Sequence, residues 1–313
     1  VKKILITGAN GFLGSAITKL AVKKGYKVNI LIRKDSNLTN LKPLLSKLNI
    51  YYGDLKNIES LDHPIKDSDV IFHVAADYRL WSRKPAEIYA ANVLGTENIA
   101  LKTLTHNKTL IYTSSVATLK LKNDVISDEN SKASFLDMTG DYKKSKFLAE
   151  KIILHLTKKK KLKAIIVNPS TPIGKGDIKP TPTGKIILDV LNRDMPAYVD
   201  TGLNFVHVDD VAEGHFLALK YGKIGENYIL GGENLNFKDF LDLVAEIGKV
   251  PKVKFKINQK YLYLFAFINE VIAKYILRYN PSLTLDGLKM SEKKMFFSSE
   301  KAKKLLRYRP RNV

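Results

Sequence analysis

Tyr142 and Lys146 stand four residues apart in the run Tyr142-Lys143-Lys144-Ser145-Lys146, and Ser115 precedes Tyr142 by 27 residues. On a helix the pair shares one face, so an ammonium can lie beside a phenol. A free phenol titrates near ~10 and is a poor acid/base group at neutral pH, whereas an adjacent cation favours the phenolate. The expected chemistry is proton transfer to or from a substrate oxygen that Ser115 holds, coupled to hydride transfer. A tyrosine and a lysine at this spacing also occur on many ordinary surface helices. Their order along the chain narrows the reading: a glycine loop at the start, Thr113-Ser114-Ser115 closing an apolar strand, then the Tyr/Lys helix.

The loop Gly8-Ala9-Asn10-Gly11-Phe12-Leu13-Gly14 lies between a strand over Ile4 to Thr7 and a helix over Ser15 to Lys24 that stops at Gly25. Glycines at 8, 11 and 14 suit a tight turn, close approach of backbone to a pyrophosphate and close helix-to-sheet packing, while the helix start offers N–H groups to phosphate. Gly8, Asn10, Gly11, Phe12, Leu13 and Gly14 are therefore candidate cofactor contacts. A strand over Lys27 to Ile32 completes a βαβ unit, and its end carries Ile32-Arg33-Lys34 where NAD binding calls for a carboxylate on the ribose. Arg33 suits a 2′-phosphate, so NADP(H) is favoured; Asp35, able to swing inward, keeps NAD(H) open. Gly53-Asp54-Leu55 follows the third strand and sets Asp54 against an adenine amino group, or is an ordinary turn.

These residues need a scaffold that presents strand ends on one edge. Apolar runs at Ile50-Tyr52, Val70-Ala76, Thr109-Thr113 and Ala164-Asn168 alternate with helical stretches at Ala86-Leu104 and Tyr142-Thr157. Such alternation predicts an α/β, doubly wound parallel sheet of the Rossmann type. Beyond Pro169, prolines at 172, 180, 182 and 196 break the pattern. The expected organisation is a dinucleotide-binding domain over 1–169 and a smaller C-terminal substrate-binding region over 170–313, with segments around 203–232 returning to the first.

Composition fits an ordinary globular protein. The 313 residues are 45% hydrophobic, with 18 Gly and 11 Pro, enough for a sizeable core. The absence of cysteine rules out disulfides and thiolate sites. The six histidines lack metal-site spacing and read as structural or surface residues, so no metal is expected. Net charge is +21, and the run Lys158 to Lys161 reads as the solvated, dipole-favoured end of a helix. No basic stripe interleaved with aromatics points to nucleic acid. The chain enters a strand at once, so a cytoplasmic protein without signal peptide is expected, as monomer or homodimer.

The segments Thr7 to Gly14, His73-Val74-Ala75-Ala76, Asn92-Val93-Leu94-Gly95-Thr96, Tyr112 to Ser115 and Tyr142 to Lys146 together resemble the extended short-chain dehydrogenase/reductases, close to the NAD-dependent epimerase/dehydratases. Asp77 to Trp81, Asn168 to Pro172 and Asp177 to Gly184 resemble the hopanoid-associated sugar epimerase group, near the dihydroflavonol reductases and 3β-hydroxysteroid dehydrogenases. The resemblance covers nearly the whole chain. It implies a catalytic triad of Ser115, Tyr142 and Lys146, with Ala75, Ala76, Thr113 and Leu55 beside the cofactor and Pro169, Ser170 and Thr171 near the nicotinamide. It also implies that Asn92 holds a water for Lys146, that Tyr78 and Trp81 admit substrate, and that Asn168 matches an asparagine of sugar-nucleotide enzymes. Relatives add a helix after the point where Arg309 to Val313 ends this chain, so an incomplete C-terminal edge is expected.

Two enzyme readings lead. A reductase passes hydride from NADPH to a carbonyl, Tyr142 donating the proton and Lys146 anchoring the nicotinamide ribose, so both also count as cofactor contacts; an epimerase oxidises a sugar carbon and returns the hydride to the opposite face. A dehydratase is disfavoured because Val116-Ala117 stand where an Asp-Glu pair belongs, and a non-catalytic sensor is disfavoured by the intact triad. The substrate is a small carbonyl, alcohol or sugar. Finally, Leu262, Phe265, Ile268/Asn269, Ile272 and Ile276 predict an amphipathic helix, either a core or lid helix or a contact with a membrane surface.

Overall fold

A computed structural model describes residues 2–121, 125–276, 279, 281 and 283–313. Short strands made almost wholly of branched apolar residues, such as Ile4-Leu5-Ile6, are buried on both faces, as a parallel sheet between helices requires. The first unit runs β1 (Lys3–Thr7), α1 (Phe12–Lys23), β2 (Lys27–Ile32) and β3 (Leu48–Tyr52). Next come α2 (Asp62–Lys66), β4 (Val70–His73), α3 (Pro85–Tyr89), α4 (Gly95–Thr105), β5 (Thr109–Thr113), α5 (Gly140–Lys160) and β6 (Lys163–Pro169).

The remaining elements are β7 (Thr171–Ile173), α6 (Pro182–Leu191), β8 (Ala197–Tyr198), β9 (Gly202–His207), α7 (Val208–Tyr221) and β10 (Asn227–Leu230). They continue through β11 (Glu233–Asn236), α8 (Phe237–Gly248), β12 (Phe255–Lys256), α9 (Gln259–Tyr275), α10 (Leu285–Ser291) and α11 (Glu300–Leu306).

The described residues form a seven-stranded parallel sheet in the order β10-β6-β5-β4-β1-β2-β3. The doubly wound fold expected from the alternation is therefore the one observed. Strand order reverses at β1 and β4, and the crevice beyond their carboxyl ends is where such sheets place ligands. One face packs Ile4, Ile17, Val211 and Leu306 together; the other packs Leu5, Ile71, Ile99 and Ile153.

Within 203–232, α7 and β10 join this body, while β9 pairs instead with β7 and β11 in a separate three-stranded sheet. The end of the chain also returns: Ala302, Leu306 and Tyr308 lie in the core beside α1 and α7. The lysine run ends α5 with Lys158, Lys159 and Lys160 in its last turn and Lys161 in the left-handed conformation at φ 62°.

One local expectation is corrected. The helix expected over 86–104 is split by a π-helical turn at Ala90–Leu94, and its extra residue turns Asn92 inward. The stripe predicted for α9 divides: Phe265, Ile268 and, just past its end, Ile276 are exposed, Leu262, Asn269 and Ile272 are half-buried, and Ala266 and Ala273 are fully packed.

Candidate active site

The turn from β1 into α1 has no room for side chains. Gly8 takes φ +70°, and a Cβ there would meet the Ala75 backbone at 2.7 Å; at Gly14 it would meet the Gly8 carbonyl oxygen at 1.9 Å. The Gly11 N–H closes the turn onto the Gly8 carbonyl at 3.0 Å. No side chain caps α1 and no carboxylate occupies its first turn, so its N-terminal dipole opens onto a cavity of about 1400 Å³. Gly8, Asn10, Gly11, Phe12, Leu13 and Gly14 all line that cavity. A backbone cradle that a Cβ would fill, facing an uncapped helix start, fits a dinucleotide pyrophosphate.

Arg33 lines the same cavity past the end of β2. Its side chain is largely exposed and lies 3.8 Å from the equally exposed Asp35. Ser36, absent from the residues expected here, also lines the cavity, and its hydroxyl accepts the Arg33 N–H at 3.1 Å. A hydroxyl three residues beyond a cavity arginine was the available signal. Asp54 and Leu55 line it too; one carboxylate oxygen of Asp54 accepts the Lys56 N–H at 2.9 Å, and the Leu55 carbonyl accepts from Asn98 at 2.8 Å.

The carboxyl ends of β4, β5 and β6, with α5, deliver the other candidates. Thr113, Ser115, Tyr142, Lys146, Ala75, Ala76, Pro169, Ser170 and Thr171 all line the cavity. Ser115 is extended at φ −161°, and its hydroxyl accepts the Ala117 N–H at 3.1 Å. Tyr142 reaches Ser115 from α5. Burial raises the phenol above its ordinary value of 10.0, and the Ser115 side chain acts in the opposite sense.

Lys146 lines the same cavity one helical turn beyond Tyr142. Its Nζ donates to the Thr113 carbonyl at 2.7 Å and lies 4.6 Å from the centre of the Tyr112 ring. A carbonyl and a ring face are the available electron-rich partners at the floor of the cavity. Burial pushes Lys146 down to about 7, against a smaller upward pull from Glu150.

Three expected residues do not line the cavity: Asn92, Asn168 and Trp81. The Asn92 amide is occupied, accepting the Asp77 N–H at 2.7 Å and donating to the Asp77 carbonyl and the Ser145 hydroxyl, each at 2.9 Å. It clamps the loop after β4 to α5. Asn168 is buried behind Ser115, donating to the Ser115 carbonyl and to Glu150, each at 3.0 Å. Glu150 also accepts from Ser114 and, at 3.0 Å, from Thr118, so one carboxylate organises the Ser115 turn. Tyr78 does line the cavity, its hydroxyl donating to the Lys179 carbonyl at 3.1 Å.

Two buried histidines brace the strand ends. His73 spans Thr7 at 2.7 Å and Thr96 at 3.0 Å, and burial, with Lys146 nearby, lowers it to about 3. His215 reaches the Val211 carbonyl at 2.7 Å through Nδ1, so that nitrogen carries the proton and Nε2 accepts the Thr113 hydroxyl at 2.9 Å. Burial lowers His215 to about 4. The opposite cavity wall is apolar, with Ile186, Leu203, Leu262, Leu283, Leu288 and Met290.

The model of the NAD dependent epimerase/dehydratase family matches residues 4–231. A Synechocystis sp. relative, bearing a provisional name as a dihydroflavonol 4-reductase, is 40% identical over 303 residues, which cover 95% of this chain and 87% of that protein. The decarboxylating sterol-4-alpha-carboxylate 3-dehydrogenase of Candida albicans is 27% identical, covering 99% of this chain and 93% of its own. Among solved structures, gox2253 superposes with a TM-score of 0.88 and 47% identity, covering 100% of this chain and 94% of that one. With the family model spanning most of the chain and relatives named as reductase and dehydrogenase, the protein belongs to the NAD dependent epimerase/dehydratase family of NAD(P)-dependent enzymes.

Proposed function

We propose that the protein is an NADP(H)-dependent reductase for a bulky, largely apolar carbonyl compound, with Ser115, Tyr142 and Lys146 as its catalytic residues. The carrying observation is Tyr142, a phenol held neutral by burial, facing Ser115 on the floor of an apolar-walled cavity. Reduction of a carbonyl needs a proton for the new alkoxide, and a phenol protonated at neutral pH is the donor. Ser115 holds the substrate oxygen, and Lys146 orders the floor through the Thr113 carbonyl. The bound nicotinamide supplies the hydride. Gly8, Gly11 and the first turn of α1 hold the pyrophosphate, and Arg33 with Ser36 holds a 2′-phosphate.

Asn168 favoured a sugar-nucleotide enzyme, and its position behind Ser115 withdraws that support for an epimerase. The two activities separate in one assay. A reductase consumes NADPH in step with substrate and purifies mostly free of cofactor. Tightly held NAD, with sugar-nucleotide interconversion and no net redox change, is the result that replaces this reading.

The same molecule is suited to an anionic membrane surface. Tyr261, Leu264, Phe265, Ile268 and Tyr275 are exposed along α9, while Leu262 of the same helix lines the cavity. Net charge of +21 complements anionic lipid. Among the described residues no helix is long and apolar enough to cross a membrane; the proposed contact is α9 lying along the surface.

A further inference from the structure

The cavity that holds Tyr142 shares a wall with a smaller pocket of about 240 Å³, and Ala117, Leu119, Leu121, Lys143 and Met290 face both. Lys143 directly follows Tyr142 on α5. It is only 7% exposed, and among the described residues its ammonium has no hydrogen bond and no ion pair. Lys120, Lys289 and Lys293 line the small pocket as well, against two carboxylates, Asp137 and Glu292.

Both carboxylates are already engaged. Asp137 pairs with Lys120 at 2.9 Å and accepts the backbone N–H and hydroxyl of Ser134, each at 2.8 Å. Glu292 accepts the phenol of Tyr263. Asp286, the acidic group nearest Lys143 in effect, is shared with Lys144 and Lys289 and lies near Asp141. Lys143, Lys289 and Lys293 therefore meet the pocket without a close counter-ion among the described residues. A cation on a largely buried side chain is poorly solvated and tends to lose its proton. Burial pushes Lys143 down to about 8, with Lys293 acting in the same direction and Asp286 opposing. It still carries charge at neutral pH.

We propose that this pocket receives an anionic oxygen group of the substrate, a carboxylate or a phosphate, with Lys143 at its base and Lys289 and Lys293 at its rim. The inference rests on the reductase reading, because Lys143 adjoins the proton donor. The apolar body fills the main cavity, the carbonyl meets Tyr142 and Ser115, and the charged end meets Lys143. Lys143 sets specificity; it does not touch the reacting atoms.

The test compares matched aliphatic ketones that differ only in ending as a methyl group, a carboxylate or a phosphate ester. An ion-paired hydrogen bond in a partly dry site predicts kcat/KM at least about tenfold higher for an anionic ketone than for the neutral one. Lys143→Met is expected to collapse that ratio toward one, Lys143→Arg to retain most of it, and Lys293→Ala, at an exposed position, to reduce it partly. A ratio unmoved by Lys143→Met overturns the proposal. Whichever anion leads identifies the source.

Binding is measured separately by calorimetry with inorganic phosphate and with acetate, against chloride at equal ionic strength. Saturable heat in the unmodified protein, lost in Lys143→Met, supports the pocket even if no ketone is reduced, in which case the reductase reading alone fails. No saturable heat with either ion overturns the proposal.

Discussion

Lys146 donates to the carbonyl oxygen of Thr113 at 2.7 Å, so its charge is anchored to the end of β5. Tyr142, one helical turn earlier, is left with a phenol raised by burial, which makes it an acid in the resting protein. Tyr142→Phe is expected to lower kcat by about 10²–10⁴-fold, because the proton donor is lost and little volume changes. Cofactor affinity should hold. Steady-state turnover and a fluorescence titration check the two halves, and a variant keeping more than about a tenth of wild-type turnover removes Tyr142 from the role. Lys146→Ala should weaken turnover and cofactor binding together; unchanged affinity there would show that Lys146 does not reach the cofactor.

Arg33 is exposed at the cavity edge with only a distant partner in Asp35. NADPH is expected to bind more tightly than NADH, and Arg33→Ala to reduce that preference by about tenfold, the order of one charge-assisted hydrogen bond. Equal affinities in the unmodified protein return the site to NAD.

The buried histidines predict acid sensitivity. His73 is lowered from 6.5 to about 3 and His215 from 6.5 to about 4. Between these values and 6.5 the unfolded chain binds more protons than the folded one, so the stability from keeping them neutral is full above 6.5 and falls as pH drops. Each contributes a slope of about 1.4 kcal/mol per pH unit. Urea unfolding at a series of pH values should show this, and His73→Asn should flatten the slope by about one histidine's share. An unchanged slope in that variant locates the acid sensitivity elsewhere.

For α9, co-sedimentation should show binding to vesicles containing phosphatidylserine and much weaker binding to phosphatidylcholine alone. Phe265→Glu with Ile268→Glu should abolish it while turnover of a water-soluble ketone persists. If instead the unmodified protein is a dimer by light scattering and the double variant is a monomer, the helix covers a second copy of the chain and the membrane reading fails.

The alternation of strands and helices and the glycines at 8, 11 and 14 were legible because they are local constraints. A buried parallel strand must be apolar throughout, and a Cβ at Gly8 or Gly14 collides with backbone. The side of Asn168 was not legible, since a strand residue near a site reads the same whether it faces the cavity or braces the turn behind it. Nor was the choice between the two readings of α9: helical spacing defines a face without saying what covers it.

By itself, the sequence determined the doubly wound fold and the set of groups gathered at the strand ends, because period, turn chemistry and helix spacing act over a few residues. Tertiary structure alone decided where each group points. Lys146 turns to Thr113, Asn92 to the loop at Asp77, Asn168 to Ser115, and Lys143 into a pocket between α5 and α10. Those choices follow from which partners remain unsatisfied once distant segments pack together, and local sequence does not encode that.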